Sequence, residues 1–361
     1  MHRRRWIFSL LGSTAALSAR DASAQPAPAA APLAFPRDFG AHPETRVEWW
    51  YATGALQAAA RRYGFQITFF RVATGLAERH PSRFAVKQLL FAHAALSDLG
   101  QRRLRHDERI ARSGFGIAEA SVADTDVVLR DWRFRREGLE GRSRYLARLP
   151  ATGAGFGFEL ALETTQPVLL QGVGGLSRKG PRAEQASRYY SQPQLAVTGT
   201  LSVDGVGAPV TGTAWLDHEW SDAFLDADAV GWDWIGMNLD DGSALTAFRV
   251  RRRDGSALYA GGSFRRRGEP ATAFGPADVS FSALRRWTSP ATKATYPVEW
   301  TIDTPVGRYT VKALFDSQEL DSRASTGAIY WEGLSDLLDA GGRRLGGGYL
   351  EMTGYAAPLT L

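Results

Sequence analysis

The chain has 361 residues with 43 Lys+Arg against 38 Asp+Glu, a formal net charge of +5, and no Cys. The absence of Cys removes disulfides, iron–sulfur clusters, thiol nucleophiles and Cys-based zinc sites together, and the length is that of two domains or one large one. With 18 Phe, 11 Tyr and 11 Trp and only 22% charged residues, there is ample apolar surface for a core, and general disorder is excluded.

Residues 1–24 read as an export signal. Arg3, Arg4 and Arg5 precede an apolar run from Trp6 through Leu17, and Ala22-Ser23-Ala24 fits a small-x-small cleavage site. Arg3-Arg4-Arg5-Trp6-Ile7 resembles a twin-arginine signal, so the expected location is periplasmic or secreted after cleavage near Ala24. Cleavage takes away Arg3, Arg4, Arg5 and Arg20 and returns Asp21, so the net charge falls to 5 − 4 + 1 = +2. Nothing in that residual charge calls for a nucleic-acid partner. Residues 25–34 are a Pro/Ala-rich linker. No later stretch approaches the ~18 uninterrupted apolar residues of a membrane span, so no transmembrane segment is expected in the mature chain.

From Val47 the chain runs in short aromatic and β-branched segments broken by Gly, Asp and Asn, which is the pattern of strands and tight turns. Val47–Leu56 and Tyr63–Thr74 flank a short connection. Val197–Val203 and Val210–Leu216 bracket Asp204-Gly205, and Gly231–Leu239 and Ala244–Arg253 bracket Asp240-Asp241-Gly242. Further strands are expected at Leu258–Arg266, Tyr296–Thr301, Tyr309–Phe315, Ala328–Glu332 and Gly348–Gly354. Ser82–Phe91 reads as strand or short helix, Leu334–Leu338 as a late helical turn, and Gln171–Gln192 as a long loop. Little helix and no βα alternation argue for an all-β chain of antiparallel barrels or sandwiches. A boundary near residue 200 gives an N-terminal domain of 35–200 and a C-terminal domain of 201–361.

Two clusters concentrate the chemistry. In the first, a strand places Glu48 with Trp50 on one face and Trp49 with Tyr51 on the other, so both faces are covered by aromatics. Glu48 is then either a structural partner of Arg46 or a carboxylic acid with raised pKa in an apolar cavity. The second is Asp217-His218-Glu219-Trp220, followed by Trp232 and Trp234. Asp217 or His218 is a candidate proton-transfer group at the end of a strand, and the alternative is a solvated loop with one satisfied histidine. Tyr189 and Tyr190, after the Gly-rich loop, are loop packing or ligand contacts. His42, His93 and His218 are scattered with no metal-ligand spacing, so no metal site is expected, and there is no Gly-x-Ser-x-Gly nucleophile elbow.

The segments FPRDFGAHPETRVEWWYATGAL (35–56), GGLSRKG with ASRYYSQPQL (174–195), TAWLDHEWS (213–221), GWDWIGMNLDDGSALTAFR (231–249), and YWEG with GGGYLEMTGY (330–355) together resemble the AttH-like secreted proteins. That family is related to the carotenoid 1,2-hydratases, or hydroxyneurosporene synthases. The resemblance implies two consecutive lipocalin-like antiparallel β-barrel domains, a large apolar isoprenoid or lipid ligand, and no organic cofactor. It also implies acid-catalysed addition of water to a carotenoid-type C=C bond, with Asp217 or Glu48 as acid and His218 handling the water proton. Trp49, Trp50, Trp220, Trp232 and Trp234 would offer π faces to a carbocation, with Tyr51, Tyr189 and Tyr190 completing the ligand wall. The His-x-Trp of the hydratases maps onto His218 and Trp220, whereas their Tyr-x-Asp pair has no counterpart in Leu245-Thr246-Ala247-Phe248-Arg249. The alternatives are a non-catalytic carrier of a lipid or terpenoid, a secreted hydrolase, and a structural platform for docking partners.

Overall fold

The longest strands run 12 to 18 residues, enough to cross a barrel wall. The structure, a computed structural model, describes residues 31–75, 80–82, 84–223 and 225–359. The expected export signal and residues 25–30 of the Pro/Ala linker lie outside the described residues. Among the described residues, strands make up two antiparallel sheets of thirteen and ten, and the only helices are 3-10 turns at Arg37–Phe39 and Thr152–Ala154. The chain is all-β with the lipocalin-like fold.

The first sheet is built on two long hairpins. Val47–Ala58 pairs with Arg61–Ala73 on one side and with Val206–Ser221 on the other, and Ala186–Val203 pairs with Val206–Ser221. Asp204 and Gly205 turn that second hairpin with φ of 51° and 82°, the left-handed pair that a two-residue connection requires. In the second sheet, Ala229–Leu239 lies between Ala244–Arg252 and Arg344–Thr353, and Arg344–Thr353 pairs in turn with Ala328–Leu338.

Alternation along these strands produces apolar clusters, of which three are large. The first sheet curls round Trp50, Phe65, Phe69, Phe134 and Phe158, and the second round Ile235, Met237, Tyr296, Trp300 and Trp331. A third cluster joins the sheets: Tyr51 and Trp215 of the first meet Trp234, Phe248, Leu334 and Tyr349 of the second. The close approach depends on Gly64, where an added Cβ would sit 2.7 Å from the Tyr349 hydroxyl and 3.1 Å from the Leu334 Cβ. Gly64→Val therefore forces the sheets apart and is expected to cost about 1–3 kcal/mol, read from the denaturant midpoint.

Several expectations change. Leu334–Leu338 is not helical but the second half of strand Ala328–Leu338, because its partners on Arg344–Thr353 and Gly307–Ala313 complete the backbone hydrogen bonds there. The supposed loop Gln171–Gln192 contains strand Leu176–Arg178 and the start of Ala186–Val203. The boundary placed near residue 200 falls inside a hairpin; the change of sheet comes between Ser221 and Ala229.

Candidate functional site

Strand Val206–Ser221 carries both candidate groups, and its two-residue period separates them. Asp217 and Glu219 point toward the space between the sheets, while His218 and Trp220 point to the opposite side. Asp217 and His218 are thus neighbours in sequence that cannot act on one substrate atom together. The same division runs through the expected aromatic set. Trp49, Tyr51, Tyr189, Trp232 and Trp234 line the inter-sheet cavity, whereas Trp50, Tyr190 and Trp220 pack around His218.

On the His218 side, Glu48 is held by four donors. Arg71 Nε donates at 2.7 Å, the His42 backbone N–H at 2.9 Å, and the rings of His42 and His218 approach at 2.8 and 2.9 Å. The guanidinium is that of Arg71, the cross-strand neighbour of Glu48, rather than that of Arg46 two residues back. Burial alone would raise the Glu48 pKa, but the bonds from His218 and His42 and the charge of Arg71 outweigh it and hold the carboxyl far below its usual range. Burial lowers the pKa of His218 in turn, against the pull of Glu48. The Tyr190 hydroxyl is bonded to the other nitrogen at 3.1 Å. Glu48 is therefore an ionised anchor and not a proton donor.

Two imidazoles and a carboxylate are also a metal-ligand composition, and the ligand atoms of His42, Glu48 and His218 lie within 4.8 Å of one another. The set does not fit a divalent ion. Arg71 and the His42 backbone N–H already occupy the Glu48 carboxylate, and an ion would have to displace these donors from a buried site.

The cavity side is different. Asp217 accepts hydrogen bonds from the Ser191 hydroxyl at 2.5 Å, the Trp215 indole at 2.7 Å and the Tyr189 hydroxyl at 2.8 Å. Burial outweighs these donors and lifts its pKa to about 7. Glu219 pairs with Lys179 at 3.0 Å. Across the cavity, Glu332 and Glu351 face each other as direct cross-strand partners. Glu332 accepts the Tyr51 hydroxyl and Glu351 the Trp232 indole at 3.1 Å. Burial first, and then the charges of Asp217 and Glu219, push Glu351 to about 8; burial and the charge of Glu351 push Glu332 well above the usual carboxylate range. These groups surround a cavity of about 290 Å³, walled also by Phe70, Phe91, Phe248 and Tyr330.

Glu332, Glu351 and Lys179 were not picked out as site residues from the sequence. Both acids stand in the quoted segments YWEG and GGGYLEMTGY, but single acids in separate strands give no hint that the ladder sets them opposite each other. The signal available was their position inside apolar strands, where an acid needs a partner or a proton.

The shifts set a pH profile for stability. For Asp217 and Glu351 the folded pKa exceeds the unfolded value, so between about 4 and 8 the folded state binds more protons and stability falls as pH rises. Glu48 has the opposite sign: its contribution is present above its unfolded pKa near 4.5 and is lost on acidification below it. Urea unfolding across the pH range is expected to show greatest stability near pH 4–5 and a loss of a few kcal/mol by pH 8. A flat profile from pH 5 to 8 contradicts the assignment of buried, protonated acids.

The AttH-like family model matches residues 26–355. The solved structure of an AttH candidate from Nitrosomonas europaea is 48% identical, with a TM-score of 0.83 over 90% of this chain and 98% of that one. Kievitone hydratase from Nectria haematococca superposes with a TM-score of 0.66 at 14% identity, over 86% of this chain and 89% of that one. The protein CghA does so at 0.52 and 12% identity, over 88% and 89%. No curated protein matches by sequence.

Proposed function

The chain belongs to the AttH-like family, and from that premise we propose that the cavity between its two sheets is the site of a hydratase acting without an organic cofactor. The observation that carries this reading is the set of three carboxyl groups, Asp217, Glu332 and Glu351, with raised pKa around one aromatic-walled space. A carboxylic acid kept neutral near pH 7 can protonate an alkene. Glu351 is the proton donor. The tertiary carbocation so formed lies against Trp49, Trp232 and Trp234, whose π faces favour a cation. Asp217, whose three donors favour its ionised form, takes the proton from the attacking water as the C–O bond forms. The name of one structural neighbour, a hydratase, agrees with this class of reaction. Glu48 and His218 keep a supporting role, fixing the strands that carry Trp49 and Asp217.

The cavity volume bears on the ligand. About 290 Å³ lies at the lower end of the roughly 300–1,000 Å³ usual for small-molecule sites. It suits a ring system or the end of an isoprenoid chain, so a carotenoid would enter by its terminus only. The expected site of action is outside the cytoplasm, from the signal-like residues 1–24.

Incubation of the protein with an acyclic carotenoid, and with a short isoprenoid carrying a trisubstituted terminal alkene, is expected to give a product heavier by one water. Unchanged compound that stays bound and co-purifies points to the carrier alternative; neither product nor binding rejects both.

A further inference from the structure

We propose that Tyr330, His93, Ser325 and Glu108 form a proton wire that connects the buried cavity with the surface. This rests on the acid–base reading of the cavity and adds a route for its protons. Asp217 and Glu332 are buried and Glu351 is half-buried, so a change in the protonation of the first two needs a path to water.

The four residues come from both sheets. His93 lies on strand Gln88–Asp98 and Glu108 on Arg103–Arg112 of the first sheet. Tyr330 lies on Ala328–Leu338 of the second, and Ser325 in the turn before it. Tyr330 and His93 line the cavity; Glu108 reaches the outside, with 20% of its side chain exposed. The links are unbroken: Tyr330 Oη to His93 Nδ1 at 2.8 Å, His93 Nε2 to Ser325 Oγ at 2.8 Å, and Ser325 Oγ to Glu108 Oε2.

The acceptors at the outer end set the direction of every bond. The Ser325 hydroxyl faces the Glu108 carboxylate and, at 3.3 Å, the Ser322 carbonyl, so it must donate. It therefore accepts from His93 Nε2–H, which leaves Nδ1 to accept the Tyr330 hydroxyl. Burial first, and then the nearby charge of His106, lower the His93 pKa to about 3, which keeps the imidazole neutral and able to accept at one nitrogen while donating at the other. Phe70 packs edge-on against the His93 ring, and the acids whose charge acts on Tyr330 are Glu332, Glu351 and Glu108, with the Ser322 side chain also bonded to its hydroxyl.

As oriented, the wire moves a proton outward. A proton taken up at the Tyr330 oxygen displaces its own hydroxyl proton to His93 Nδ1. The Nε2 proton passes to Ser325, and the Ser325 proton passes to Glu108 and then to solvent. Each intermediate group ends with the number of protons it began with.

The experiment is a stopped-flow jump from pH 5 to pH 9, followed by tryptophan fluorescence. Trp232 and Trp215 donate to Glu351 and Asp217, so their emission reports ionisation of the acids. Ser325→Ala and Glu108→Gln are each expected to slow the relaxation at least tenfold while leaving its amplitude unchanged, and Ser325→Thr, which keeps the hydroxyl, is expected to restore the rate. Glu108→Gln alters a partly exposed side chain and serves if Ser325→Ala folds poorly. Rates within twofold of the parent protein in both variants overturn the wire but leave the acidic cavity standing. Absence of any transition in the parent protein overturns the cavity reading, and the wire with it.

Discussion

Glu351→Gln is expected to lower the rate of alkene hydration by about a hundredfold or more, the size usually lost with a general acid, while ligand binding changes little. Gln has the shape of Glu, and its amide oxygen still accepts the Trp232 indole, so the cavity wall survives the change. What disappears is the transferable proton. Asp217→Asn has a distinct signature. With Asp217 near 7 and Glu351 near 8, turnover requires the first ionised and the second protonated, which gives a narrow bell-shaped dependence of kcat/KM on pH. Removing Asp217 should flatten the acid limb and reduce the maximum, whereas removing Glu351 should lower the rate at all pH values and flatten the alkaline limb. Activity retained in both variants sinks the assignment of roles.

Glu48→Ala is expected to destabilise the protein by about 3–5 kcal/mol, because it leaves Arg71 as an uncompensated buried charge. The two side chains are essentially inaccessible to solvent, so water cannot replace the lost partner. Arg71 also ties the His42 and Thr45 carbonyls to the barrel wall, and the His42 ring loses its bond to Glu48 as well. The double variant Glu48→Ala/Arg71→Met removes both charges and should recover a large part of the loss, as measured by urea unfolding. A Glu48→Ala protein of near-parental stability with its hydration activity lost would return Glu48 to the reaction.

The antiparallel strands were legible where chemistry is local. Asp204-Gly205 names its own turn, and the alternation of Glu48, Trp49, Trp50 and Tyr51 predicts two covered faces, as found. The same period applied to Asp217 and His218 separates them, and grouping them as one catalytic pair ignored it. Leu334–Leu338 looked helical because a short apolar run has no readable period, and distant partners decided its state. The Glu332–Glu351 contact and the His93–Tyr330 bond depend on pairing and packing between segments far apart in the chain, and residue spacing carries no information about either.

The position of strand Arg344–Thr353 has a consequence for biosynthesis. It lies between Ala229–Leu239 and Ala328–Leu338, so more than a hundred residues of the second sheet await a central strand translated after both neighbours. That strand also carries Glu351. While the ribosome is still short of residue 344, the nascent chain can close much of the first sheet, but the second sheet remains split with its inner strand edges unpaired. Acid site and second sheet are thus completed in one late event, and a chain cut before residue 344 would lack both the strand that carries Glu351 and the wall beside it.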